Sequence, residues 1–200
     1  MRRIILVAGI IFFTLQITNM ATGQQTFNPK TKLLGFGIGP AVNYYSGYKT
    51  GFSPAILLQY DQGIWDMGPG CLSLGGQFGF SYLDYKYKGD FTAGGIKNEY
   101  LYKYVWMNYV IAIRGAYHYN WGKDNLDTYG GLAAGSRLIT FKSNYYHNYP
   151  QTGFDPSATY AYAGIFVGAS WFFTPKLAVN GELGYNVAYL RAGLVYKLGK

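Results

Sequence analysis

Few residues in this sequence have side chains of the kind that carry catalysis or bind metal ions. His118 and His147 are the only histidines, and Cys71 is the only cysteine. A metal site needs three or four ligands, and no cluster with ligand spacing is visible. A hydrolase would need a serine, a histidine and an acid in contact; Ser136 and Ser170 are available, but nothing marks either as activated. We therefore predict no metal, no cofactor and no enzymatic activity.

Three charged residues lie in strand-like segments among small neighbours. Arg114, Glu182 and Arg191 share the face that otherwise carries Gly, Ala and Asn. A short turn joins the segments of Glu182 and Arg191, so these two should be cross-strand neighbours. Because an unpaired buried ion is heavily penalised, we predict an internal network of ion pairs formed by all three. It could act as a gate or as a structural plug, and a narrow interior favours the plug.

A second group of charges lies in two longer segments rich in Tyr, Asn, Lys and Gly, residues 86–103 and 142–158. We predict that these segments are external loops, since the outward loops of membrane barrels are the longer ones. Their basic residues could contact lipopolysaccharide phosphates or a host surface. Acidic residues are interspersed, so the same pattern also fits loops that charge simply keeps solvated. The candidate basic contacts are Lys86, Lys88, Lys97 and Lys103.

The chain begins with the pattern of an export signal. Arg2 and Arg3 precede an apolar stretch that ends at Leu15, and small residues suited to cleavage follow. The apolar stretch is too short for a membrane-spanning helix, which takes about 20 residues, and this argues against an N-terminal anchor. We predict a cleaved signal peptide over residues 1–23 and one domain over residues 24–200.

The composition is unusual for a soluble protein. Of 200 residues, 20% are aromatic and 13% charged, with 28 Gly and 22 Tyr, whereas soluble domains average about 25% charged residues. Aromatic residues favour strands and membrane interfaces. The net charge is +8, but no basic helix or stripe is present to hold a nucleic-acid duplex. We predict a β protein whose partner is an anionic lipid surface and not nucleic acid.

The chain reads as eight strands, six of which alternate clearly between two faces. In the first, Leu34, Phe36 and Ile38 alternate with glycines. The faces of the fifth strand cannot be assigned, because Gly, Ala and Leu occupy both parities. Phe166 and Phe172 interrupt the small face of the sixth strand. The predicted strands are about 34–44, 52–61, 72–82, 105–119, 128–141, 160–173, 177–185 and 190–198.

The contents of the two faces separate a membrane barrel from a soluble sheet. One face is large and apolar, and the other holds Gly, Ala, Ser, Asn and Gln. A water-exposed face would carry many Lys and Glu, and glycine weakens strands there. Inside a narrow barrel only small side chains and a compact polar network fit, while lipid covers the apolar face. We predict an all-β fold, an eight-stranded antiparallel transmembrane up-and-down β-barrel preceded by the cleaved signal peptide.

Five segments are consistent with this architecture: residues 34–42, 114–118, 129–132, 181–185 and 190–198. Together they resemble the outer membrane protein β-barrel domain family, which contains small porin-like, opacity-type and OmpX-type barrels. The resemblance implies a cell outer-membrane location and insertion by the barrel-insertion machinery, and it implies no particular chemistry. Such barrels often end on an aromatic residue, whereas this chain ends on Lys200.

We therefore expect a monomeric, non-enzymatic outer-membrane barrel with a structural, adhesive or surface-interaction role. Its partners would be outer-membrane lipid and the phosphates of lipopolysaccharide. A narrow porin-like channel for ions or small solutes is the alternative. A barrel that hydrolyses lipids is less favoured, and a soluble lipocalin-type barrel would need an apolar cavity that the small polar face does not provide.

Overall fold

The computed structural model describes residues 26–41, 51–146, 157–185 and 187–199. The predicted signal peptide and His147 lie outside the described residues. The described residues form nine strands: β1 Lys32–Gly39, β2 Gly51–Phe52, β3 Ala55–Met67, β4 Gly70–Ala93, β5 Ile96–Tyr119, β6 Leu126–Tyr146, β7 Ala158–Phe172, β8 Leu177–Tyr185 and β9 Leu190–Leu198. Within these ranges no helix is both long and apolar enough to cross a membrane.

The strands form one closed antiparallel sheet. Pairing of β1 with β9, with Phe36 opposite Leu194, joins the first and last long strands. The two-residue β2 continues β3 along the same neighbour, β4, after an irregularity at Ser53 and Pro54. There the Ser53 hydroxyl accepts a hydrogen bond from the Tyr82 amide at 2.8 Å. Because β2 and β3 together occupy one strand position, the barrel has eight strand positions, as predicted.

The barrel carries its bulky apolar residues on the outside. Phe36, Ile38 and Leu194 are each 48% exposed and Ile111 is 58% exposed, whereas the alternate residues face the lumen and are mostly buried. This inside-out distribution is typical of a membrane-spanning barrel, in which lipid covers the apolar belt. The short walls β1, β8 and β9 have 8, 9 and 9 residues, close to the roughly 9–11 that a tilted strand needs to cross.

The strands that were hard to interpret from sequence have clear faces in the structure. In β6 the odd positions face the lumen, where Tyr129 and Ala133 are buried. Phe166 also points into the lumen and is 1% exposed, so it fills the interior and does not disturb the face. Glycines make room for it, because a Cβ at Gly131 would lie 2.8 Å from Phe166 Cζ and one at Gly184 would lie 2.9 Å from Phe166 Cβ.

The prediction that residues 86–103 form a loop is wrong, because this segment is a β-hairpin. Strands β4 and β5 stay paired as far as Ala93 and Ile96. Gly94 and Gly95 make the turn, with φ of 61° and 78°, and two positive φ values are what a type I′ turn requires. The alternation of Tyr and Lys along both arms is a strand pattern that the loop-like composition concealed.

Among the described residues, three strands therefore extend beyond the others at the end opposite the first residue of β1, which we call the outer end. Strand β6 pairs with β5 as far as Tyr146, so the projection has three strands. We call residues 84–93, 96–105 and 140–146 the protruding sheet. From residue 84 to residue 93 it extends roughly 30 Å along the strand, at about 3.3 Å per residue.

Candidate functional site

A charged layer crosses the middle of the lumen. It consists of Gln59 and Asp61 on β3, Arg114 on β5, Glu182 on β8 and Arg191 on β9, all buried. Arg114 Nη2 lies 3.2 Å from Glu182 Oε2, and Arg191 Nη2 contacts the same oxygen. Arg114 Nε lies 2.9 Å from Asp61 Oδ1, close enough for an ion pair although not aligned as a hydrogen bond. Two positive charges thus face two negative ones.

The structure brings the three predicted residues together and adds two that sequence reasoning missed. Gln59 Oε1 accepts hydrogen bonds from Arg114 Nη1 at 2.9 Å and from Arg191 Nη2. Asp61 balances the second arginine. The sequence does contain a signal for Asp61. One glutamate cannot neutralise two buried arginines, and Asp61 lies on the small, inward-facing side of its strand.

Aromatic side chains hold the charged layer in place. The guanidinium carbon of Arg114 lies 4.1 Å from the centroid of the Phe166 ring, which is a cation–π contact. Tyr129 donates a hydrogen bond to Glu182 Oε2 at 3.1 Å and accepts one from Asn180 Nδ2 at 2.9 Å. The Glu182 carboxylate therefore receives a hydroxyl as well as two guanidinium groups.

An apolar cluster, which we call the apolar cap, lies in the lumen on the outer side of the charged layer. Val187, in the turn between β8 and β9, is 4% exposed and occupies the space that a side chain at position 79 would need, since Gly79 lies directly beneath it. Ala188 forms a β-bridge with Ala41 and anchors the same turn. Other members of the cap are Ala55, Leu57, Val110, Ala112 and Tyr162.

A short segment, which we call the inner plug, lies at the opposite end of the lumen. Residues 26–31, which precede β1, fold into the inner mouth. The Phe27 ring stacks on the His118 imidazole at 3.6 Å between centroids and 5° between planes. Thr26 Oγ1 donates to the Lys123 carbonyl oxygen at 2.5 Å, and Lys197 Nζ donates to the Thr26 carbonyl oxygen at 2.7 Å. Sequence reasoning missed this plug, because the segment has no periodicity.

His118 belongs to a buried serine–histidine–aspartate arrangement. Ser73 Oγ lies 3.0 Å from His118 Nε2, and His118 Nδ1 lies 2.9 Å from Asp127 Oδ1. Neither of the two serines considered from the sequence takes part. Ser136 is on the lipid-facing side of its strand, and Ser170 Oγ accepts a hydrogen bond from Asn180 Nδ2 at 3.0 Å. Ser73, His118 and Asp127 are at most 2% exposed. The arrangement ties β4, β5 and β6 together beneath the Phe27 ring.

The part of the chain that the structure describes contains no group of three or more His, Cys, Asp or Glu residues that could hold a metal ion. Cys71 is fully buried, in the apolar cluster around Phe27. It lies opposite His118 in the register of β4 and β5.

The four predicted basic contacts all lie on the protruding sheet, at positions that alternate with the lumen-facing ones. Lys86 and Lys103 stand opposite each other on β4 and β5. Lys97 lies near the tip, with its Nζ 2.7 Å from Asp90 Oδ2, and Lys88 is exposed. The structure thus brings Lys86 and Lys103 together and places Lys97 apart from them, towards the turn.

The opposite face of the protruding sheet is aromatic. The Tyr85 and Tyr104 rings lie 6.2 Å apart at 22°, and the Tyr104 and Phe141 rings lie 5.6 Å apart at 22°. Trp106, the residue of β5 directly below the protruding sheet, packs beside Phe141 with 5.1 Å between ring centroids. We call these four residues the aromatic row; it crosses three strands above the mouth of the barrel.

Comparison of the sequence with known protein families gives no match, and no curated protein matches it. Among solved structures, the crystal structure of Ail, the attachment invasion locus protein of Yersinia pestis, superposes with a TM-score of 0.42 and 12% identity over 84% of this chain and 97% of that chain. The backbone structure of the Yersinia pestis outer membrane protein Ail in a phospholipid bilayer nanodisc gives 0.41 and 12% over 84% and 99%. Likeness at this level carries no functional argument, and the fold assignment rests on the geometry of the barrel itself.

Proposed function

We propose that the mature chain is a non-enzymatic barrel of the bacterial outer membrane that presents the protruding sheet as an interaction surface outside the cell. The proposal rests on one observation, that β4, β5 and β6 extend beyond the remaining strands at the outer end. Extra pairing of this length does not help to cross the membrane, because β1, β8 and β9 already span it with 8 or 9 residues each.

A closed lumen favours this function over the alternative of a narrow channel. Conduction needs a continuous polar path. Here the barrel axis passes in turn through the apolar cap, the charged layer and the inner plug. The charged layer is itself neutral in sum, so it offers no net charge to attract an ion from either side.

A non-enzymatic role also fits the surroundings of Ser73. A nucleophile must reach its substrate, and general bases work only within reach of the reacting group. Phe27 covers His118, and Ser73 Oγ also lies 3.2 Å from the Ala116 carbonyl oxygen. The arrangement therefore acts as a structural clamp on the inner end.

The aromatic row is the best candidate for the contact surface itself. Tyr, Trp and Phe are enriched at the centres of protein interfaces, where they contribute most of the binding energy. The neighbouring Tyr87 is 47% exposed. Rings held in a row by three paired strands lose little conformational freedom when a partner binds.

Contact with lipopolysaccharide phosphates is a second function, favoured by the pairing of Lys86 with Lys103. Like charges opposite each other in a sheet destabilise it, and a bound phosphate would offset this. Asp84 Oδ2 lies 3.4 Å from Lys86 Nζ and offsets part of it already. Replacing both lysines by Gln should weaken binding of lipopolysaccharide and leave that of a phosphate-free lipid unchanged.

Shortening the protruding sheet tests the main proposal. Residues 84–105 are replaced by Asn-Gly, which closes the hairpin between the paired residues Leu83 and Trp106 and removes Tyr85 and Tyr104 of the aromatic row. We expect cells that display this variant to lose adhesion to host-cell monolayers, while the heat-modifiable gel migration of the barrel persists. A matched control exchanges the exposed pair Asp90 and Lys97 for Asn and Gln and should adhere normally. Unchanged adhesion of the shortened variant would refute a role for the sheet.

A further inference from the structure

The upper part of β7 forms one wall of a cleft at the outer rim. Strand β7 pairs with β6 as far as Ala158, opposite Ile139, but with β8 only as far as Ile165, opposite Tyr185. Among the described residues, positions 158–164 therefore have a strand neighbour on one side only. The cleft beside them has a volume of about 440 Å³, within the roughly 300–1,000 Å³ usual for small-molecule sites.

Small residues line the side of this cleft that faces the membrane. Ala161 and Ala163 occupy the outward positions of β7 and are exposed. The next outward residue, Ile165, is bulky and 60% exposed. Tyr160 and Tyr185 stand at the rim, 53% and 48% exposed. The apolar belt therefore has a recess over Ala161 and Ala163, which we call the notch. It lies at the level of the outer membrane interface, where tyrosine is favoured.

A cation lies at the polar end of the same cleft. Arg137 on β6 lines it together with Tyr162, and its guanidinium carbon lies 5.7 Å from the centroid of the Tyr162 ring. A guanidinium group has five N–H donors in a fixed fork, so it can hold a phosphate in addition to other acceptors. Arginine is suited to phosphate because two of its N–H groups match two phosphate oxygens.

We propose that this cleft binds one anionic lipid of the outer leaflet, with the phosphate on Arg137 and an acyl chain along Ala161 and Ala163. No described strand pairs with β7 on this side, so the cleft reaches from Arg137 and Tyr162, at lumen-facing positions, around the edge of β7 to Ala161 and Ala163 on the lipid-facing side. A cleft with a cation at one end and an apolar lipid-facing side at the other suits an amphiphile better than a soluble anion. The single cation selects an anionic headgroup over a zwitterionic one. This lipid site is separate from the aromatic row and from Lys86 and Lys103, and it does not depend on the adhesive role.

Native mass spectrometry of the purified barrel in neutral detergent tests the site, with phosphatidylglycerol and phosphatidylcholine of the same chain length as probes. We expect one phosphatidylglycerol to bind at concentrations at which phosphatidylcholine does not. Arg137→Gln should weaken its binding about tenfold, the scale of one charge-assisted hydrogen bond. Ala163→Phe should fill the notch and abolish binding.

Two control variants separate the cleft from the general surface. Ala192→Phe adds the same ring to another outward position, on β9, and Lys176→Gln removes an exposed cation from the inner turn between β7 and β8; both should bind phosphatidylglycerol normally. Heat-modifiable migration checks that each variant folds, and the Arg137→Gln result stands even if Ala163→Phe does not fold. Equal binding of the two lipids, or unchanged binding by Arg137→Gln, would overturn the proposal. So would inorganic phosphate that binds as tightly as the lipid.

Discussion

Removing the charge of Glu182 is the sharpest perturbation of the lumen. The carboxylate faces Arg114 and Arg191 and accepts from Tyr129, so Glu182→Gln changes the charged layer from neutral to a net charge of one. Breaking a buried ion pair by removing one partner costs about 3–5 kcal/mol, because the remaining charge stays buried without compensation. We expect Glu182→Gln to lower the free energy of unfolding by that amount.

A compensating substitution distinguishes charge balance from a loss of packing. Glu182→Gln combined with Arg191→Met leaves Asp61 opposite Arg114 and restores neutrality. The double variant should recover at least about half of the loss, as coupled neighbours in a double-mutant cycle do. Unfolding in urea, followed by gel migration of the folded form in lipid vesicles, measures both variants.

An exposed ion pair serves as the control. The side chains of Lys97 and Asp90 are 67% and 55% exposed, and surface pairs contribute about 0–1 kcal/mol. Asp90→Asn should therefore leave the unfolding free energy nearly unchanged. The reasoning fails if Glu182→Gln is as stable as Asp90→Asn, or if adding Arg191→Met makes the protein still less stable.

Three further predictions concern the plug, the glycines and the buried serine. Phe27→Ala should destabilise the barrel by about 3 kcal/mol and let a thiol reagent reach Cys71, which is buried in the same cluster; continued protection of Cys71 would contradict the plug. Gly131→Ala should lower the free energy of unfolding, since a Cβ there would lie 2.8 Å from both Ala116 Cα and Phe166 Cζ. Gly122→Ala should disturb only its turn, because a Cβ at Gly122 would have nothing within 4 Å, although its φ is 69°. A fluorophosphonate probe should not label Ser73 in the folded protein, and labelling that Ser73→Ala abolishes would show that the serine is an activated nucleophile.

The sequence predicted the barrel because the two faces of most strands differ in size as well as polarity. Leu34, Phe36 and Ile38 alternate with glycines, and the structure puts them outside. The same reasoning could not assign the faces of β6, where Gly and Ala occur at both parities. The burial of Tyr129 and Ala133 in the closed barrel assigns them.

The remaining features depend on contacts between distant parts of the chain. Asp61 and Gln59 join the charged layer only because closure of the barrel brings β3 across from β8 and β9. Ser73 reaches His118 through the register of β4 and β5, which spacing alone does not reveal. The inner plug has no pattern of its own, and its position is fixed by hydrogen bonds to Lys123 and Lys197.

Labelling of single cysteines on intact cells tests the central claim most directly. Thr92→Cys lies beside the outer hairpin turn and Asp124→Cys lies in an inner turn, both exposed, while the native Cys71 is buried and should stay silent. A maleimide that cannot cross membranes should label position 92 on intact cells and position 124 only after the outer membrane is permeabilised. Equal labelling of both positions on intact cells, or labelling of neither until permeabilisation, would contradict a barrel that spans the membrane with its protruding sheet outside.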